Sequence, residues 1–298
     1  DTGQEYEVVD IAWVGETTYR LSVASLLPLG EFALSLGPEV SDFAGNLMDQ
    51  DLDGTRGEPI EDAFHSAWRI QETLLWDAHG DGRWSDLRWV DSAGRPANRY
   101  PDSPFTNVLV RANTVTIAAP CTAYDVTVQD GSLANSAGGI LTVAGDFRMD
   151  STSSYEWQWA EGNDGLIAVQ GKAFFDGGLH FATGGRTVDN LHWVYERRTI
   201  LTAANGIEGD SSPASTHWGN GVFFHVTRTS DAITVDALQA LPGDTDGDRD
   251  VDVSDIQRIL AAAKFNSGKP ADWTEGDFSG DGLVTAADIQ LVLKMAQF

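Results

Sequence analysis

Along most of the chain, apolar and polar residues alternate in short runs separated by turn residues. That period of two marks strands with one face turned inward. In the stretch 1–72 the runs are 7–13, 18–23, 30–36 and 63–70, which predict a β-sandwich. From 74 to 241 they are 107–110, 114–117, 124–128, 140–143 and 166–169. Within that stretch Val143-Ala-Gly-Asp-Phe147 recurs as Val169-Gln-Gly-Lys-Ala173. Short strands with glycine-rich turns at such an offset predict a β-solenoid or an irregular β-sandwich, with no long helix.

The pattern changes at residue 243. From there the chain contains one unit twice, an Asp-rich loop followed by a helical run: 244–255 then 256–265, and 277–288 then 289–298. Every landmark returns at one constant offset, Asp244 as Asp277, Asp255 as Asp288 and Phe265 as Phe298. Leu241-Pro242-Gly243 precedes the first loop, and a segment from Pro270 to Gly276 precedes the second, so neither loop has an entering helix.

The loop chemistry is that of a hard cation. Calcium takes oxygen ligands, and a twelve-residue loop offers them from positions 1, 3, 5, 7 (a main-chain carbonyl), 9 and 12. The first loop places Asp244, Asp246, Asp248, the carbonyl of Asp250, Asp252 and Asp255 there. The second places Asp277, Ser279, Asp281, the carbonyl of Leu283, Thr285 and Asp288. Position 8 is apolar in both, as Val251 and Val284. Position 6, where a positive φ favours glycine, is Gly282 in the second loop and Arg249 in the first. The first loop therefore has more charge and more strain, the second better geometry and less charge.

Two loop–helix units, Asp at position 12 and the constant offset between copies resemble a type I dockerin over residues 243–298. The resemblance implies two bound calcium ions and docking to a cohesin domain of another protein. Cellulosomal dockerins often carry Ser-Thr at loop positions 10 and 11 for that contact. Here the positions hold Val253-Ser254 and Ala286-Ala287, which points to a different cohesin-like partner or none.

Two further resemblances cover the rest of the chain. Residues 30–70, centred on the run from Leu36 to Asn46, resemble the bacterial Ig-like domains of S-layer and invasin-type surface proteins, with some early sheet strands missing as in a truncated domain. The segments 76–89, 100–102, 113–117, 141–145, 199–207 and 222–227 are similar to autotransporter-like β-solenoid passengers. The expected fold is mainly β: an Ig-like β-sandwich (1–72), a β-solenoid-like domain (73–241), and a small α-helical, calcium-binding dockerin-like module (243–298).

A third acidic loop interrupts the first domain. Asp49, Asp51 and Asp53, followed by Gly54, repeat the first half of a calcium loop. Position 12 is Ile60, which cannot ligate, so Glu58, Glu61 or Asp62 would have to close a third calcium site. The other reading is a solvated hairpin tip. The segment 77–86, flanked by Trp76, Trp84 and Trp89, is more simply a packed turn than a metal loop.

Charge narrows the partners. Nineteen basic residues against 45 acidic give a formal charge of −26, which disfavours nucleic acid and anionic membranes. No apolar run has the length of a membrane span. The chain starts at Asp1, so a signal peptide is expected to have been removed or to lie outside it, and the dockerin-like tail points to an extracellular or cell-surface location. The single cysteine, Cys121, is expected to be a buried apolar side chain.

Catalytic signals are sparse. The six histidines lack metal-ligand spacing, and no nucleophile elbow, P-loop or CxxC occurs. Asp146, Asp150, Glu156, Glu161 and Asp164 lie near Trp157 and Trp159, an aromatic strand that either stacks on sugar rings or packs the core. Lys172, Arg148 and Arg186 are the few basic residues available as proton acceptors for a β-helical lyase, and no set of these residues stands out. The expectation is a non-catalytic surface protein attached through its tail, in contact with a glycan in some settings. The alternative is a glycoside hydrolase or polysaccharide lyase tethered by the same tail.

Overall fold

A computed structural model describes residues 4–15, 18–42, 44–76, 80–158, 164–182, 197–209, 222–248 and 250–295. The fold is mainly β with two helices, and the chain divides into two units, residues 1–72 and 73–298.

The first unit holds β1 (Val8–Gly15), β2 (Thr18–Val23), β3 (Gly30–Leu36) and β4 (Phe64–Ile70). They pair as two separate antiparallel ribbons, β1 with β2 and β3 with β4. The described strands thus match the alternating runs, but each ribbon keeps both faces largely open. Val9, Ile11, Trp13 and Tyr19 are exposed, and Asp62 is the one buried side chain among the described residues of this unit.

The second unit begins with β5 (Glu72–Trp76), β6 (Gly82–Arg83) and β7 (Val90–Asp91). The chain then runs through three sheets in rotation. The first round is β8 (Thr106–Val110), β9 (Thr114–Ile117) and β10 (Cys121–Ala123). The second is β11 (Val126–Val128), β12 (Ser132–Asn135) and β13 (Ile140–Val143), and the third is β14 (Phe147–Met149), β15 (Ser154–Gln158) and β16 (Leu166–Val169). The fourth is β17 (Ala173–Phe175), β18 (Gly178–Ala182) and β19 (Arg197–Ala203), followed by β20 (Ile207–Glu208). Every third strand lies beside its predecessor, giving the orders β5-β8-β11-β14-β17-β20, β6-β9-β12-β15-β18 and β10-β13-β16-β19. The pairings from β8, β6 and β10 onward are parallel. β22 (Ala232–Gln239) then runs antiparallel to β19, and β21 (Val222–Arg228) antiparallel to β22, so the sheets are mixed.

Register explains the core. Val108, Val126, Phe147, Ala173 and Ile207 face one another across successive parallel pairs, and each is buried. The recurrence seen in the sequence is this register: Val143 pairs with Val169, and Phe147 with Ala173. At the corner before the first of these sheets, side chains tie one round to the next. Asn107 accepts from the Asp125 N–H at 3.4 Å, Asp125 from Asp146 at 2.7 Å, and Asp146 from Lys172 at 2.9 Å. The adjoining glycines admit no side chain: a Cβ on Gly171 would lie 2.3 Å from the Gly145 carbonyl oxygen.

Tryptophans close the first end. Trp76 and Trp84 both meet Trp89 edge to face, at 5.1 and 5.3 Å between centroids. The Trp84 indole donates to the Pro101 carbonyl at 2.6 Å and that of Trp89 to the Trp84 carbonyl at 2.9 Å, so their polar edges are satisfied in the core. Residues 77–79 of the acidic segment beside them lie outside the described residues.

Candidate metal centres

The tail contains α1 (Val253–Ala262) and α2 (Ala286–Met295), which stand at the same offset as the loops that precede them. α1 starts at a capping box: Asp252 accepts from the Ser254 N–H at 2.6 Å, and Asp255 accepts from the Asp252 N–H at 2.8 Å. Between the repeats, a 3₁₀ turn (Trp273–Glu275) sets Trp273 at the centre of a small cluster with Ala240 and Phe278, backed by Ile259, Leu291 and Val292. The Trp273 indole donates to the carbonyl of Asp244 at 2.7 Å, and its ring meets Phe278 edge to face at 5.1 Å. One side chain therefore joins the first residue of loop one to the second residue of loop two.

In the first loop, the carboxylates of Asp244, Asp246 and Asp255 lie within 4.8 Å of one another, and so do those of Asp250, Asp252 and Asp255. Asp255 is buried and holds the loop shut, accepting from the Thr245 N–H at 2.6 Å and from the Asp252 N–H at 2.8 Å. Asp244, also buried, accepts from the Gly247 N–H at 2.5 Å. Asp248 lies on the exposed side and accepts from the Asp250 N–H at 3.0 Å. Burial opposes ionisation of Asp255, but hydrogen bonds from the Asp252 and Thr245 main chain outweigh it and hold the carboxyl below its usual range. Asp250 moves the other way, pushed up first by the charge of Asp248, then by burial and by Asp252, Asp255 and Asp246. Arg249 lies outside the described residues, so the strain expected at position 6 has no structural reading.

The second loop repeats the plan with fewer charges. Asp288 is fully buried and accepts from the Ser279 N–H at 2.8 Å and the Thr285 N–H at 2.7 Å. Asp277 gathers the N–H groups of Gly280, Asp281 and Gly282 at 2.8, 3.1 and 2.7 Å, with the Ser279 hydroxyl at 3.2 Å. Asp281 accepts from the Leu283 N–H at 2.9 Å. Gly280 and Gly282 take φ of 74° and 87°, the left-handed turns that open this path. Among the described residues, no three carboxylates of this loop converge as in the first. Val284 is buried while its counterpart Val251 is half exposed.

These residues fit a hard divalent cation. The donors are all oxygen, the charge is concentrated in loop one, and buried position-12 aspartates fix both loops from within. Such an ion would supply the positive charge that relieves repulsion among these carboxylates.

The helices expose apolar side chains. Val253, Ile256 and Leu260 project from α1 at helical spacing, and Ile289 and Leu293 from α2, with Leu260 71% and Leu293 60% exposed. Ile256 and Leu260 are the repeat equivalents of Ile289 and Leu293. Ser254, Ala286 and Ala287 are exposed beside them.

No protein-family model, curated protein or solved structure matches this chain.

The other candidates separate cleanly. Asp49, Asp51 and Asp53 bring their carboxylates within 4.8 Å of one another, while Ile60 at position 12 is exposed. Glu58 is exposed to the same charges; burial first, then Asp53, Glu61, Asp51 and Asp62, raise its carboxyl above the usual range. Tyr155 and Trp157 are core residues, with the Trp157 indole donating to the Gly165 carbonyl at 3.0 Å, while Glu156 faces out between them. Trp159, Glu161, Arg186, His79, His192 and His217 lie outside the described residues. Cys121 is buried, and burial, then Asp102, pushes its thiol up to about 12, far from a nucleophile's range.

An open groove of about 270 Å³ that sequence reasoning did not assemble lies on the outer face of β11, β14 and β17. It is lined by Thr127, Gln129, Arg148, Asp150, Phe174 and Asp176. The Arg148 guanidinium sits 3.8 Å over the Phe174 ring and pairs with Asp146 at 3.1 Å. Parallel register is what gathers these residues, because Thr127, Arg148 and Phe174 are cross-strand neighbours.

Proposed function

We propose that the chain is an exported, cell-surface or extracellular protein whose tail, residues 243–298, is a type I dockerin-like module organised by two calcium ions. The module attaches the chain to a cohesin-like domain of another protein. The preceding residues act as a β-solenoid body of the autotransporter-passenger kind behind an Ig-like unit, and this body is non-catalytic.

One observation carries the reading. Two buried aspartates, Asp255 and Asp288, close duplicate acidic loops, and the helix that follows each loop leaves equivalent apolar residues in solvent. Exposed apolar side chains grouped in this way mark a surface that another protein covers. Calcium fixes the loops, the loops fix the helix starts, and the helix starts place Val253, Ile256, Leu260, Ile289 and Leu293 for contact.

The test is capture of isolated cohesin domains on the immobilised full chain, in calcium and in chelator. Calcium-dependent capture that falls at least tenfold in Leu260→Asp and in Leu293→Asp supports the assignment. Capture that is absent in calcium across type I and type II cohesins, or indifferent to both substitutions, contradicts it.

The second reading, a tethered enzyme acting on polysaccharide, has the groove on β11, β14 and β17 in its favour. There Arg148, Asp150 and Asp176 border an aromatic ring. A glycan array and a hydrolysis screen on the full chain separate the two, since turnover lost in Asp150→Asn favours the enzyme.

A further inference from the structure

We propose that the groove on the outer face of β11, β14 and β17 is a binding site for a neutral glycan chain, which it holds without cleaving. The inference does not rest on the tail reading, because none of the groove's residues belongs to 243–298.

Parallel register makes the groove. The three strands lie side by side, about 4.8 Å apart. After the inward residues Val128, Met149 and Phe175, which pair in register, come Gln129, Asp150 and Asp176, one polar group per strand. Thr127, Arg148 and Phe174 form a second row, also in register. Groups that recur strand by strand suit a ligand that itself repeats, and an open groove lets the ends of a polymer run on.

The charged side chains are held in place by their neighbours. Arg148 lies between the Asp146 carboxylate, at 3.1 Å, and the face of the Phe174 ring, at 3.8 Å. Asp150 accepts from the Thr152 and Ser153 hydroxyls at 2.8 and 2.6 Å. Lys172, 5.7 Å from the same ring, pairs with Glu208 at 2.6 Å. Side chains fixed in this way lower the ordering cost that binding would otherwise carry.

Their chemistry selects the ligand. Arg148 brings N–H donors to one row, and Asp150 and Asp176 bring acceptor oxygens to the other. A sugar hydroxyl meets both, donating to a carboxylate and accepting from a guanidinium. The Phe174 ring with the guanidinium layered on it adds a flat surface for the C–H face of a sugar ring. Asp146 and Glu208 already answer the charges of Arg148 and Lys172, and the whole chain carries −26. Uronates and sulfated chains are therefore repelled, which leaves neutral ones. Hydrolysis would need a carboxyl kept protonated as the acid. Asp150 does not meet that need: burial opposes its ionisation, but the Ser153 and Thr152 hydrogen bonds outweigh it and hold the carboxyl below its usual range.

The test is calorimetric titration of the full chain, in calcium, with cellohexaose, xylohexaose, mannohexaose and laminarihexaose, and with hexagalacturonate as the anionic probe. At least one neutral hexaose should bind and hexagalacturonate should not, with the sugar recovered intact by chromatography. Affinity should fall at least tenfold in Arg148→Ala and in Asp176→Asn, both exposed positions that leave the core untouched. No neutral hexaose bound at millimolar concentration overturns the inference, as does tighter binding of hexagalacturonate. Affinity within twofold of the parent in both variants overturns it as well. Recovery of shortened sugar overturns it in favour of the tethered enzyme, and none of these results bears on capture by cohesin domains.

Discussion

Trp273 is where the two halves of the tail are joined, and its removal has a calculable effect. The side chain is 6% exposed, donates to the Asp244 carbonyl and packs on Phe278. Truncating a buried tryptophan to alanine costs about 3–5 kcal/mol. A tail of this length holds only about 3–8 kcal/mol of folding free energy at ordinary stability per residue, so the loss is comparable with the whole. If ion binding supplies that free energy, the cost is shared between two binding events, and the calcium midpoint for ordering the helices rises about tenfold to seventyfold. Trp273→Phe keeps the ring contact and removes the indole donor, a loss of about 1–2 kcal/mol and a shift of only about two- to fivefold. The assay is hydrogen exchange of peptides from 253–262 and 286–295 across a calcium titration of the full chain. Parent and Trp273→Ala midpoints that coincide would refute the idea that this ring couples the loops.

Other outcomes follow from the same geometry. Asp244→Asn should abolish the tighter calcium phase and Asp277→Asn the looser one, because loop one gathers more carboxylates; calorimetric titration showing the reverse order would make strain in loop one the larger effect. Gly171→Ala should lower the urea midpoint of the β body by an amount equivalent to about 1–3 kcal/mol, since its Cβ would fall 2.3 Å from the Gly145 carbonyl oxygen. Asp150 accepts from Thr152 and Ser153; burial opposes its ionisation, yet these hydrogen bonds hold its carboxyl below the usual value. A depressed carboxyl stabilises the fold above its unfolded pKa of about 3.9 and loses that contribution as pH falls through the folded value. Asp150→Asn should therefore be less stable than the parent at pH 7, with the gap closing in acid melts; a gap independent of pH would count against this.

Much of this architecture was legible in the residues. The constant offset between the two loops announced both helices but placed their starts three residues late, at Ile256 and Ile289 instead of Val253 and Ala286. The recurrence of 143–147 at 169–173 is the register of one round of strands on the next. Alternation found β3, β9, β13 and β16 to the residue. It missed β10 and began β11 two residues early, at Tyr124, because strands of three residues carry too few positions to show a period. Nor could it decide between stacking and core for Tyr155 and Trp157, since alternation reveals two faces without naming the inward one. The parallel pairing with β12 decides it, by setting Tyr155 beside Leu133 and Trp157 beside Asn135. In the first unit the runs foretold the strands, whereas their pairing as two separate ribbons with open faces is something a linear pattern does not encode. The loop at 49–62 was legible only in its first half. Asp62, the buried side chain that accepts from the Gln50 and Glu58 main chain, stands outside the twelve-residue count.

The central claim is that calcium, through Asp255 and Asp288, builds the surface by which the tail attaches. Hydrogen exchange of the full chain at α1 and α2, in saturating calcium and in chelator, tests it most directly. The tail's own cluster of buried apolar residues is small, so on that claim both helices should be protected in calcium and exchange at near-unfolded rates in chelator. Equal protection in the two conditions would contradict the account.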